Sequence, residues 1–154
     1  MSRVDVLLKL QKRAFESSQW HSLKAALDDV DDHVFVWKPA KHEGFPWMDG
    51  SIRDIVYHVT GDKLVQLSHA YGDGSVNWAN VSIVKDDLHV MRDELARSHA
   101  MVVEALRKLT EDSLQEKVAT WGGTRMAAED FFLMLIEHDI YHAGQIRYIR
   151  NVAG

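Results

Sequence analysis

The stretch Phe131-Phe-Leu-Met-Leu-Ile-Glu-His138-Asp-Ile-Tyr-His142-Ala-Gly-Gln145-Ile-Arg-Tyr-Ile149 decides how this chain is read. Phe131, Leu135, His138, His142, Gln145 or Ile146, and Ile149 step by three or four, the period of a helix with one buried stripe. His138 and His142 fall on that same stripe. Two imidazoles four residues apart project from one helix face about one turn apart. That spacing lets both grip one metal ion, with a third ligand supplied from elsewhere in the chain. An isolated histidine on a core face is usually a hydrogen-bonded core residue. Burying two is costly unless their nitrogens are satisfied, and an ion would satisfy one nitrogen on each.

Working outward, four helical segments emerge. Val4, Leu7, Leu8 and Ala14 or Phe15 recur at helical spacing, and Leu23, Ala26, Leu27 and Val30 extend the stripe toward residue 31. Ser17-Ser18 marks either a break or a ripple in this first helix. Residues 32–50 hold Pro39, Gly44, Pro46 and Gly50 with Trp37 and Trp47, too many breakers for a helix interior. They read as a long aromatic-bearing loop. Ser51-Ile-Arg-Asp54 is a capping-box pattern opening a second helix from 52 to about 70, closed by Gly72-Asp-Gly74. A third helix begins after Ser82 and reaches about Leu109. Residues 110–123 connect it to the fourth, with a strand-like piece near 117–121, and Thr124 is positioned to cap the fourth helix. The expected fold is all-α, a four-helix bundle with a long loop between the first and second helices, forming one domain over residues 1–154.

Bulk properties bound the chemistry. The 154 residues suit one domain with a sizeable core. A net charge of −5 argues against binding a nucleic-acid backbone. Cysteine is absent, which removes disulfides, thiolate ligands and a cysteine nucleophile. Any thiol would therefore come from a substrate or cofactor. The N-terminus lacks the charged start and apolar run of a signal peptide, and no run of 18 apolar residues spans a membrane. A cytoplasmic protein is expected.

His58 is the candidate third ligand. It lies on the second helix between Asp54 and Asp62, and positions 55, 58, 62 and 65 share one face. Three neutral imidazoles leave a position open for water and leave the ion's full charge to acidify it. Zinc would hold such a set as tetrahedral, while nickel or iron keeps several waters. The zinc-protease pattern H-E-x-x-H is not matched, because Asp139 stands in its second position. His21, His33, His42 and His89 read as surface residues, and His69 and His99 as partly buried.

Asp62 is a candidate to orient His58 or to face the pocket, whereas Asp54 reads as a helix cap. Gln145, one turn beyond His142, could hydrogen-bond a ligand, and Tyr141 could present a hydroxyl. Gly144 suggests close helix approach. Glu137 and Asp139 read as surface residues or interhelix partners. Trp37, Trp47, Trp78 and Trp121 fall in connections, where they plug the bundle ends or wall a pocket.

Taken together, Trp37-Lys-Pro39, Ser51-Ile-Arg-Asp-Ile-Val-Tyr-His58 and Glu137-His-Asp-Ile-Tyr-His-Ala-Gly-Gln145 resemble the DinB-like (DinB/YfiT-like) superfamily in order and spacing, across nearly the whole chain. The resemblance implies a four-helix bundle with a divalent ion on His58, His138 and His142, nickel or zinc foremost, iron or manganese otherwise. It also implies a homodimer. Some related proteins transfer bacillithiol, and others use mycothiol in an isomerisation. The expected activity is a metal-dependent hydrolase or a small-molecule-thiol transferase acting on an unidentified small molecule, with no catalytic residue assigned. The alternative is a non-catalytic metal-binding or stress-related helical protein.

Overall fold

A computed structural model describes residues 1–43 and 48–153. Gly44, Pro46 and Trp47, read above as part of the long loop, lie outside the described residues. Four long helical segments form the bundle. The first is α1 (Arg3–Lys12), which runs on through a π-helical turn, Arg13–Ser17. Two short helices follow, α2 (Leu23–Leu27) and α3 (Asp32–Val36), and then come α4 (Ile52–Tyr71) and α5 (Leu88–Arg107). A 3-10 turn, Ser113–Gln115, leads into a small antiparallel hairpin of β1 (Lys117–Ala119) and β2 (Arg125–Ala127). The last helix, α6 (Ala128–Val152), carries the decisive stretch. Among the described residues no helix is long and apolar enough to cross a membrane.

Helix starts follow side-chain chemistry. Ser2, Ser22, Asp31, Ser51 and Asp87 each accept a hydrogen bond from a first-turn amide, which satisfies a donor the helix cannot pair internally. At α1 the box is reciprocal, because Asp5 accepts from the Ser2 amide. At α4 it is half made. Ser51 accepts from the Asp54 amide, but the Asp54 carboxylate turns to the Asp49 amide at 2.7 Å and to the Lys85 ammonium. Asp54 therefore ties two connections to the helix start instead of capping it.

The structure corrects several boundaries. The break or ripple left open at Ser17-Ser18 is a break, since the chain leaves the helix at Ser18, which is extended. Ser18 then stitches the turn, with its hydroxyl accepting from the His21 amide and its carbonyl from the Ser22 hydroxyl. Residues 32–36, read as loop, form a helix because Asp31 caps it and Phe35 is buried beneath it. The third helix starts at Leu88, later than Ser82, where Asp87 supplies the cap. Thr124 does not cap the last helix. Hairpin pairing carries the chain to Ala127, and the Ala128 amide donates to the Glu116 carbonyl at 2.9 Å.

The core falls into two apolar clusters. One gathers Phe15, Leu23, Phe35, Ile52, Val59, Leu95 and Ile146, and the other Leu7, Leu67, Val102, Leu106, Phe131 and Leu135. Each long helix carries buried polar residues: Gln11 on α1, Thr60 and Lys63 on α4, Ser98 and His99 on α5, and Asp139 and His142 on α6. Lys63 and Asp139 form an ion pair, and Gln11 donates to the Phe132 carbonyl at 3.2 Å. His99 stacks on Phe15 with centroids 3.8 Å apart.

Trp78, from the connection between α4 and α5, seats on α4 at Gly61. A Cβ added there would meet Trp78 Cζ3 at 2.6 Å. Gly61→Leu is expected to displace the indole and destabilise the fold by about 1–3 kcal/mol despite the gain in helix propensity. Urea unfolding checks this, and unchanged stability would contradict the assigned packing.

Candidate metal centre

His58 on α4 and His138 and His142 on α6 come together within the bundle. All three present Nε2 to one point: His58 Nε2 and His142 Nε2 each lie 3.0 Å from His138 Nε2. The three form a cluster whose candidate ligand atoms all lie within 4.8 Å of one another. His142 is buried, and His58 and His138 are half-buried.

The second nitrogen on two of these rings decides what the first can do. His142 Nδ1 donates to Gln145 Oε1 at 2.7 Å, while the Gln145 amide nitrogen donates to the Tyr141 hydroxyl at 3.1 Å. His138 Nδ1 faces Asp62 Oδ2 at 3.5 Å, a carboxylate that also accepts from Gln66 at 3.3 Å. Gln145 favours the proton on His142 Nδ1 and leaves Nε2 of that ring as a lone pair. His138 Nδ1 makes no hydrogen bond, and the Asp62 carboxylate beside it favours a proton there by charge alone. With His138 in that form, its Nε2 lone pair meets that of His142 at 3.0 Å, and a cation at the meeting point of the three Nε2 atoms relieves the contact. Carboxylate and amide partners on the outer nitrogen are the arrangement that orients metal-ligating histidines.

Burial keeps the cluster uncharged. Loss of hydration is the largest cause at all three rings. His138 and His142 are held down to about 3, with neighbouring imidazoles adding to the effect, and His58 is lowered with Asp62 opposing. Asp62 itself is raised by burial, against the pull of Gln66 and His58. Neutral imidazoles are the form that ligates an ion.

The other candidate residues fall partly around the cluster and partly away from it. Asp62, Gln145 and Tyr141 all reach the cluster, although Asp62 addresses His138 and not its own helix neighbour His58. Gly144 makes no close helix approach, because it is exposed and a Cβ there would meet nothing within 4 Å. Its bare face opens instead on a cleft of ≈ 550 Å³ between α6 and the chain before α4, with Trp37, Met48, Tyr141, His142 and Gln145 on its walls. Glu137 is exposed, and Asp139 is the interhelix partner of Lys63. His21, His33, His42 and His89 are exposed, His69 is half-buried and His99 is buried, away from the triad.

Trp78 was expected to plug a bundle end or wall a pocket, and two details beside the site were not read: which ring it would wall, and a buried charge. Trp78 stacks on His58 with centroids 5.5 Å apart and planes 7° from parallel, forming a wall of the cluster. Gly61, one turn from His58, was the available signal for a bulky group lying there. Lys63 was the other. A lysine four residues from both Val59 and Leu67 sits on an apolar stripe, which calls for a buried acid opposite.

Histidines held neutral couple stability to pH. Their ordinary value is 6.5, so below it the unfolded chain takes up protons that the native state, with His138 and His142 near 3, refuses. Stability of the metal-free protein is therefore full above 6.5 and falls as pH drops toward 3. His99, also held to about 3, contributes with the same sign. The variant with His138→Gln and His142→Gln is expected to lose less stability over this range in urea melts at stepped pH. Parallel curves for the two proteins would contradict the assignment.

No curated protein matches the chain. A family profile described as the DinB superfamily matches residues 17–146, which takes in both short helices, α4, α5, the hairpin and every histidine of the cluster. With four long helices in a bundle and the three histidines at one point, the chain belongs to the DinB superfamily.

Proposed function

We propose that the protein holds one divalent metal ion on His58, His138 and His142 and is a metal-dependent enzyme, either a hydrolase or a small-molecule-thiol S-transferase. The observation that carries this reading is the meeting of three imidazole Nε2 atoms, His58 and His142 each 3.0 Å from His138, with Gln145 accepting from His142 Nδ1 behind. A divalent ion bound there supplies Lewis acidity toward water or a thiol. The chain's own residues do the rest. Gln145 and Asp62 hold the ring orientations, Trp78 shields His58 from solvent, and the cleft beside His142 gives a small molecule a place to lie. The absence of cysteine means that a transferred thiol is brought by the substrate.

An all-nitrogen ligand set of this kind suits nickel or zinc, with iron or manganese as further choices. The reading includes a cytoplasmic homodimer. Exposed Tyr141, Tyr148 and Val152 recur along one side of α6 and support a face that another copy covers. A second reading, a non-catalytic metal-binding protein, draws support from Asp62. That carboxylate is committed to Gln66 and His138, which leaves it poorly placed to serve as a base.

The test is turnover by protein loaded with nickel or zinc, screened against activated esters and against low-molecular-weight thiols paired with an electrophilic acceptor. Wild type is expected to turn over one class, and the variant with all three histidines changed to alanine is expected to fall by at least about 100-fold. A metal-loaded wild type no faster than the triple variant on either class would favour the non-catalytic reading.

A further inference from the structure

Lys63 and Asp139 are fully buried, each with a side chain 0% exposed, and they pair across α4 and α6. Their neighbours in sequence also face each other across the same helices, Asp62 with its carboxylate toward His138. Residues 62 and 63 on one helix thus oppose residues 138 and 139 on the other, as two adjacent rungs. One rung belongs to the histidine cluster, and the other is the buried ion pair.

We propose that the Lys63–Asp139 pair is the positioning element of the histidine cluster, fixing the register of α4 against α6 at which the three Nε2 atoms meet. This inference rests on the metal-binding reading above. A slip of one residue between the helices is a shift of about 1.5 Å and a turn of about 100°. The apolar surfaces on either side tolerate such a slip better than an ion pair does, since Val, Leu, Ile and Ala side chains repack against one another. A buried ammonium and carboxylate have one arrangement that keeps them together, and every other one leaves charges unpaired in the core.

Stability alone does not account for the pair. Buried ion pairs are often no more stable than apolar residues of similar volume, and their best-attested use is to specify register. Here Asp139 Oδ2 has no hydrogen-bond partner among the described residues, so the pair is only partly satisfied. His58 comes from α4 and the other two histidines from α6, so the cluster depends on the relation that the pair fixes. Lys63 and Asp139 touch neither ligand nor substrate in this account. They act through the placement of His58 against His138 and His142.

The test is cobalt(II) titration of the full chain, read both as affinity and as the visible d–d spectrum. The principal variant combines Lys63→Met with Asp139→Leu, which removes both charges together and avoids stranding one. It is expected to fold with a thermal midpoint at or above wild type, while its cobalt affinity falls by about 10-fold or more and its spectrum changes. A charge-reversed variant, Lys63→Asp with Asp139→Lys, is expected to recover affinity to within about threefold of wild type. A folded apolar variant with wild-type affinity and spectrum overturns the inference and leaves the metal reading standing. If the apolar variant fails to fold, the reversed one decides. Binding near wild type supports the inference, and a folded reversed variant with weak binding, or one that also fails to fold, overturns it. Wild type that takes up no cobalt overturns the metal reading and this inference with it.

Discussion

Three imidazole nitrogens aimed at one point inside a helical bundle impose the constraint on which the rest of this structure turns. That meeting sets Nε2 of His138 against Nε2 of His142 on its own helix and against Nε2 of His58 on α4, each at 3.0 Å. Turning a ring would relieve the first contact, and separating the helices the second. Gln145 holds the His142 ring from behind, Asp62 faces His138, burial holds His138 and His142 near 3, and the bundle keeps α4 against α6. Three neutral nitrogens so placed suit a cation.

The same economy of placement runs through the core. Each long helix buries polar side chains within the bundle, Gln11, Lys63, His99 and Asp139 among them. Lys63 and Asp139 place charge within one residue of the site on both α4 and α6. A core built from Leu, Ile and Val alone would be easier to assemble but less particular about how its helices align. Around the cluster the loops supply what helices cannot, a flat indole over His58 and an open cleft beside His142.

Much of this was legible in the sequence, for reasons that can be named. His138 and His142 declared themselves because a helical period put both on a stripe otherwise filled by Phe131, Leu135 and Ile146. His58 followed from the same kind of stripe, reinforced by the family resemblance. Gln145 and Asp62 were within one turn of a histidine and so within reach. What failed were judgments that depend on contacts distant in sequence. Gly61 and Trp78 are 17 residues apart, and no periodicity links them. Gly144 was read as a packing glycine because helix glycines often are, yet its neighbours leave it facing a cleft. Ser17-Ser18 left a break or a ripple open in the first helix, because the apolar stripe resumes at Leu23. The π turn and the extended Ser18 make it a break. Thr124 had the right chemistry for a cap in the wrong place, because hairpin pairing claimed the next three residues.

Whether the histidine cluster holds an ion is decided by elemental mass spectrometry of untagged protein purified without added metal or chelator. About one divalent ion per chain is expected in wild type and none in the variant with His58, His138 and His142 changed to alanine, with the wild-type value restored by dialysis against nickel or zinc after stripping. Negligible metal in both proteins, persisting after challenge with divalent ions, would contradict it and leave the three histidines as core residues.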